Sequence, residues 1–182
     1  EAIRDYYPSS RIFPVHRIDK DTSGILIFAR GKTSTKLLNE MFKKHNLRRV
    51  YIAVVLGNLS SDKGTWKSKL IEGKDYLVHS TRIPDQGQLA ITHFSVMKRS
   101  KKYSFLKLIL QTGKKHQIRV HCREAGHPIV GDKKYGSREG SPVSRMCLHS
   151  HHIEFINPFT KKKMSFSAPA PSQFAKLAPQ KK

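Results

Sequence analysis

The sequence predicts a single α+β domain, and three observations carry that prediction. Short apolar or alternating runs recur along the chain, tight polar turns join them, and only two segments repeat with helical spacing. A length of 182 residues suits one compact domain, expected over 1–182 with its core at about 11–174 and a basic tail at 175–182.

In chain order, residues 25–29 follow Gly24 as a continuous apolar run, the pattern of a buried strand. Leu37, Leu38, Met41 and Phe42 then recur at helical spacing behind Thr33, Ser34 and Thr35, residue types that cap helices. Residues 50–56 read as a second buried strand, closed by Gly57 and Asn58. The polar stretch to about residue 89 holds short strand-like pieces, and 91–97 with 103–110 form a hairpin about a Lys/Arg-rich turn. Residues 116–125 suit a helix stopped by Gly126, with Pro128 just beyond. A glycine-bearing loop at 131–141 leads to a last strand at 146–156. The tail beyond 168, with its prolines and Lys-Lys end, reads as extended and partly mobile.

Charge narrows the function. Thirty-five Lys and Arg against thirteen Asp and Glu give a net +22, an excess that no fold requires and that marks nucleic-acid binding. No apolar stretch is long enough to span a membrane. Cys122 and Cys147 stand far apart without metal spacing, which points to a reducing, cytoplasmic setting. Cys147, His149, His151 and His152 also fit zinc patterns poorly, so no metal is expected.

Two polar clusters carry chemistry. In His16-Arg17-Ile18-Asp19-Lys20-Asp21-Thr22-Ser23-Gly24, two carboxylates lie among cations that favour their charged form, in a chain with few acids. A salt-bridged turn explains the same residues. In the second, at 111–121, Lys114, Lys115 and Arg119 gather at the start of the expected helix, a site for phosphate or carboxylate. Ile118, Cys122 and Ala125 share one face of it, leaving Arg119 and Arg123 to project elsewhere. A solvated basic helix face is the plainer account.

Together these clusters resemble the signatures of the RluA family of pseudouridine synthases. HRIDKDTSG at 16–24 matches the family's first motif and maps its catalytic aspartate onto Asp19. Arg49-Val50-Tyr51-Ile52-Ala53-Val54-Val55-Leu56-Gly57 matches the second and maps its active-site tyrosine onto Tyr51. TGKKHQIRVH at 112–121 matches the third and maps its arginine onto Arg119. Ile18 replaces the usual Leu, and Lys114 stands where Arg is usual. The family's preceding Lys-Pro strand segment and S4 RNA-binding domain are not seen before Glu1.

The resemblance implies a single catalytic domain with a central mixed, mainly antiparallel sheet flanked by a few helices and loops. It also implies an RNA isomerase that detaches uracil from C1′, turns it and rejoins it through C5, without a cofactor. Asp19 would act by attack at C1′ or by taking a C2′ proton. Arg119 would orient Asp19, and Tyr51 would stack on the base. Arg17, Lys114, Lys115, His116, Gln117 and Arg123 are expected to touch RNA. His16, Thr22, Ser23, Gly24 and Ile118 would support the site. The expected partner is ribosomal RNA first and transfer RNA second, bound by a monomer. The rivals are a non-catalytic RNA-binding module of the same fold, and a hydrolase releasing uracil, which would want a second carboxylate such as Asp21.

Overall fold

The computed structural model describes residues 2–8, 11–136 and 141–177. Among the described residues the elements follow one another as α1 (Ala2–Tyr6), β1 (Ile12–Pro14), β2 (Ser23–Gly24), β3 (Phe28–Arg30), α2 (Lys32–Lys43), β4 (Leu47–Leu56) and β5 (Lys63–Glu72). They continue as β6 (Val78–Thr81), β7 (Gln88–Arg99), β8 (Tyr103–Leu110), α3 (Gln117–Glu124), β9 (Leu148–Ile156), β10 (Lys163–Ser167) and α4 (Ser172–Leu177).

The main sheet runs β10-β9-β4-β8-β7-β5-β6, with every neighbouring pair antiparallel. β2 adds the parallel element, pairing Ser23 with His149 on β9. The fold is therefore α+β with a mixed, mainly antiparallel sheet, as the sequence predicts. β4 lies near its middle because Val50–Val55 are all buried and can tolerate cover on both faces. Against β9 the register slips between Val50 and Tyr51: His151 is the extra residue, so the bulge lies in β9 and β4 keeps its regular pairing with β8.

Three apolar clusters hold the layers. The largest joins β4 and β8 to Ile118, Cys122, Ile129 and Phe174. A second ties β5–β7 to Val120 on α3, and a third seats α2 on β9 through Met41, Ile153 and Phe155.

Several sequence expectations need correction. Residues 25–29 are not one buried strand. Residues 25–27 form the connection after β2 and residues 28–29 open β3, and only Ala29 is fully buried. Ile25 and Ile27 pack against the α2 layer while Leu26 faces out, so the run covers one face only. Thr33, Ser34 and Thr35 do not cap α2: Gly31 is its N-cap without a side-chain bond, and Thr35 Oγ1 donates back to the Gly31 carbonyl. The polar stretch before residue 89 contains a ten-residue strand, β5, whose exposed Lys63, Lys67 and Lys69 alternate with inward residues. The tail is not extended throughout: α4 forms, because Phe174 is fully buried in the main core. Residues 178–182 of the expected basic tail lie outside the described residues.

Candidate active site

The turn after β1, the strand β4, the end of β8 and the start of α3 enclose a cleft of about 190 Å3. That is small beside the roughly 300–1,000 Å3 of ordinary ligand pockets, room for one small ring system. Tyr51, Leu110, Ile118 and Leu148 give it apolar walls, and Asp19 is its one carboxylate against Arg17, Arg49, Lys114, Lys115 and Arg119.

Asp19 arrives on a turn closed by the Thr22 N–H donating to the Asp19 carbonyl (2.9 Å). Thr22 is buried, and Ser23 Oγ meets His149 Nδ1 at 2.8 Å. Gly24 holds φ at +107°, and a Cβ there would collide with the Ser150 carbonyl, so the close pairing of β2 with β9 requires glycine. Upstream, His16 Nε2 accepts the Ile27 N–H at 2.9 Å, and its ring stacks on Phe42 at 4.6 Å. Burial, aided by Arg49, pushes the His16 pKa down to about 4, which preserves that acceptor. His16 braces the turn and does not reach the cleft lining.

Arg119 is buried and reaches two acids. Its Nε and Nη2 donate to Asp132 at 2.7 and 2.8 Å, and its Nη1 donates to Asp19 Oδ2 at 3.0 Å. Burial works against the guanidinium charge, but the bonds and charges of Asp132 and Asp19 outweigh it and hold its pKa above the ordinary value. Asp132 has a fully buried side chain whose pKa burial would raise. Arg119, aided by the Tyr135 and Lys134 N–H groups, holds it below the usual carboxylate range instead. The Asp19 side chain keeps 21% exposure, open to a substrate.

Asp132 is the residue that sequence reasoning missed: its Gly131-Asp132 turn reads as structural, and it is, but the same side chain also clamps Arg119. The second acid that Arg119 grips is thus Asp132. The signal was present, an acid one glycine beyond the apolar pair Ile129-Val130 in a chain with few acids.

Tyr51 is buried, and burial raises its phenol pKa against the pull of Ser150 and Arg49, with the Asp19 charge adding to the rise; it stays neutral. His116, at the left-handed φ of 53°, places Nδ1 2.8 Å from the Tyr135 hydroxyl and Nε2 3.9 Å from Asp19 Oδ1. The Tyr135 oxygen accepts the Val78 N–H and also pairs with His116 Nδ1, which holds the imidazole with Nε2 toward Asp19. Burial lowers the His116 pKa, and Asp19 raises it less.

The expected RNA-contacting residues divide. Arg17, Lys114, Lys115 and His116 line the cleft, while Arg123 is exposed on α3 away from it. Gln117 lines the cleft too and has a further task. It is buried, its amide donates to the Ile91 carbonyl (3.0 Å) and Thr92 Oγ1 (2.9 Å), and its carbonyl accepts from Thr112 Oγ1 and the Lys114 N–H. It is a brace, because the edge of β7 sits directly beneath the helix start. His121 extends the same network to Thr92 and Ser68. His149 is likewise spent on Ser23 and the Ala168 carbonyl, and Cys147 is fully buried. Among the described residues no group of three metal-ligating side chains occurs, and no helix is long and apolar enough to cross a membrane.

With this geometry in view, the profile of the RNA pseudouridylate synthase family matches residues 2–124. The chain is 39% identical over 180 residues to an uncharacterised RNA pseudouridine synthase of Bacillus subtilis, covering 97% of this chain and 63% of that protein. It is 35% identical over 179 residues to the ribosomal large subunit pseudouridine synthase C of Haemophilus ducreyi, covering 93% and 55%. It thus spans less than two thirds of these relatives' lengths. The solved structure of human RNA pseudouridylate synthase domain containing 1 superposes with a TM-score of 0.80 at 26% identity, covering 93% of this chain and 72% of that one.

Proposed function

This chain belongs to the RNA pseudouridylate synthase family, and from that premise we propose that it isomerises uridine to pseudouridine in structured RNA with Asp19 as its catalytic residue. Ribosomal RNA is the favoured substrate class and transfer RNA the second, and the chain works as a cytoplasmic monomer without a cofactor. The observation that carries the reading is a single, partly open carboxylate in a small apolar-walled cleft, held by an arginine that a second, buried acid locks in place.

Each feature has a task in the reaction. Uracil leaves C1′ as the ribose gains oxocarbenium character, and Asp19 answers that charge by attack at C1′ or by removing the C2′ proton. Arg119 keeps the carboxylate charged and aimed. Tyr51 and Ile118 offer apolar surface on which the detached base turns; C5 then bonds to C1′, displacing Asp19 where it had attacked, and the proton lost from C5 is matched by one gained at N1. Because a stacked uridine cannot reach Asp19, the nucleotide is flipped out, at about a few kcal/mol, which cationic contacts to flanking phosphates offset.

The test is incubation with transcripts of ribosomal and transfer RNA, followed by nucleoside analysis. Pseudouridine from the parent and none from Asp19→Asn, at near-parental RNA affinity, is expected. Free uracil would instead identify a hydrolase, and neither product a binding module.

A further inference from the structure

Arg49 precedes Tyr51 by two positions on β4, so both side chains point to the same face and line the cleft. The chemistry above gives Arg49 no task, yet the fold builds a seat for it. A Cβ on Gly113 would collide with Arg49 Nη1, so the guanidinium lies directly against that glycine. Its Nε is buried without a hydrogen-bond partner. Its Nη2 has only His45 Nδ1, at a long 3.4 Å on the exposed side.

Among the described residues Arg49 forms no ion pair, whereas two neighbouring cations are spent. Arg119 is held by Asp132 and Asp19, and Lys115 by Glu72. A half-buried guanidinium with an unmade donor is costly, and burial draws the pKa of Arg49 below its ordinary value. An anion at the outer edge of the guanidinium answers its charge, although Nε stays shut away. The planar fork of arginine matches a phosphate's paired oxygens, while a neutral uracil carbonyl could satisfy one donor and leave the charge unanswered.

We propose that Arg49 is the seat of an RNA backbone phosphodiester adjoining the target uridine, holding the flipped nucleotide while Tyr51 takes its base. The proposal rests on the reading of the chain as a uridine isomerase, and it assigns a residue and a ligand group that the reading leaves open. The phosphate engages the free edge of the guanidinium at the cleft, the sugar follows toward Asp19, and the spacing of Arg49 and Tyr51 on one strand fixes the distance between the two anchors.

The experiment titrates fluorescent uridine pentanucleotides by anisotropy across a salt series against the parent, Arg49→Gln and Arg49→Lys. One probe has all phosphodiesters, and the others carry one methylphosphonate at each linkage in turn. Arg49→Gln is expected to weaken the all-phosphodiester probe roughly tenfold or more and to flatten the log–log salt slope by about 0.7. Arg49→Lys restores the slope but only part of the affinity, since it lacks the fork. One neutral linkage should reproduce the loss on the parent and add nothing on Arg49→Gln. Parental affinity and slope in Arg49→Gln, or losses that add at every linkage, would overturn the proposal, provided thermal unfolding midpoints match. Pseudouridine yield is read separately, so a chain that binds through Arg49 but makes no pseudouridine overturns the isomerase reading alone.

Discussion

The turn at 16–24 and the segment at 112–124 meet at one hydrogen bond, Arg119 to Asp19, and they are held there by different means. The second is clamped from within: Thr112, Gln117 and His121 lock it to β7, and Asp132 takes the Nε–Nη2 edge of Arg119. The first rests on local bonds and on the fit of Gly24 against β9, and Asp19 itself stays partly open. The arginine is therefore fixed first and the carboxylate takes its direction from it. A reacting group needs some freedom to follow the ribose, and its guide needs none.

The sharpest way to break this contrast is Asp132→Ala. It leaves the buried Arg119 with Asp19 alone, and removing one partner of a buried pair costs about 3–5 kcal/mol. Urea unfolding should show that loss, together with a fall in turnover as Arg119 swings toward Asp19. An unchanged midpoint would mean that the clamp is dispensable. Gly24→Ala probes the other region. Positive φ and the collision at Ser150 should cost about 2–3 kcal/mol, and turnover should drop while RNA affinity measured by filter binding holds.

Acid sharpens the comparison. The unfolded chain protonates His16 near 6.5, but the folded chain resists until about 4, so the unfolded state binds more protons between those values. Stability is full above pH 6.5 and falls as pH drops toward 4, by about 2 kcal/mol once partial exposure is allowed for. His45, His116, His121 and His149 are shifted the same way. Unfolding free energies between pH 7.5 and 4.5 should be flatter in His16→Gln, which keeps an acceptor for Ile27 and does not titrate. The smallest effect belongs to Glu72→Gln. Its pair with Lys115 is exposed, worth about 0–1 kcal/mol, and the melting midpoint should hardly move.

The same contrast explains what was legible beforehand. β4, the β7–β8 hairpin, α3 and β9 announce themselves because their apolar periodicity is unbroken. β5 is masked by its lysines, and α4 by flanking prolines, since a single buried Phe174 carries little periodicity. Asp19, Tyr51 and Arg119 were named through the resemblance of three motifs to those of a known family, and they do share one cleft. Asp132 escaped because the pairing of Arg119 depends on a turn brought in by the fold. The bracing role of Gln117 stayed hidden because a linear pattern cannot distinguish polarity that serves the interior from polarity that serves a surface.

The short parallel pairing of β2 with β9 bears on how the molecule comes into being. Ser23 meets His149 across 126 positions, and Arg119 meets Asp19 across 100. A nascent chain that has emerged only through α3 has both reacting partners but no β9 for Gly24 to lie against, and one edge of β4 is still bare. Such distant closures come late because loop entropy must be met before they reward the chain. The acid's turn therefore takes its place among the last events of synthesis, and a half-made chain carries its basic surface without a finished reactive centre.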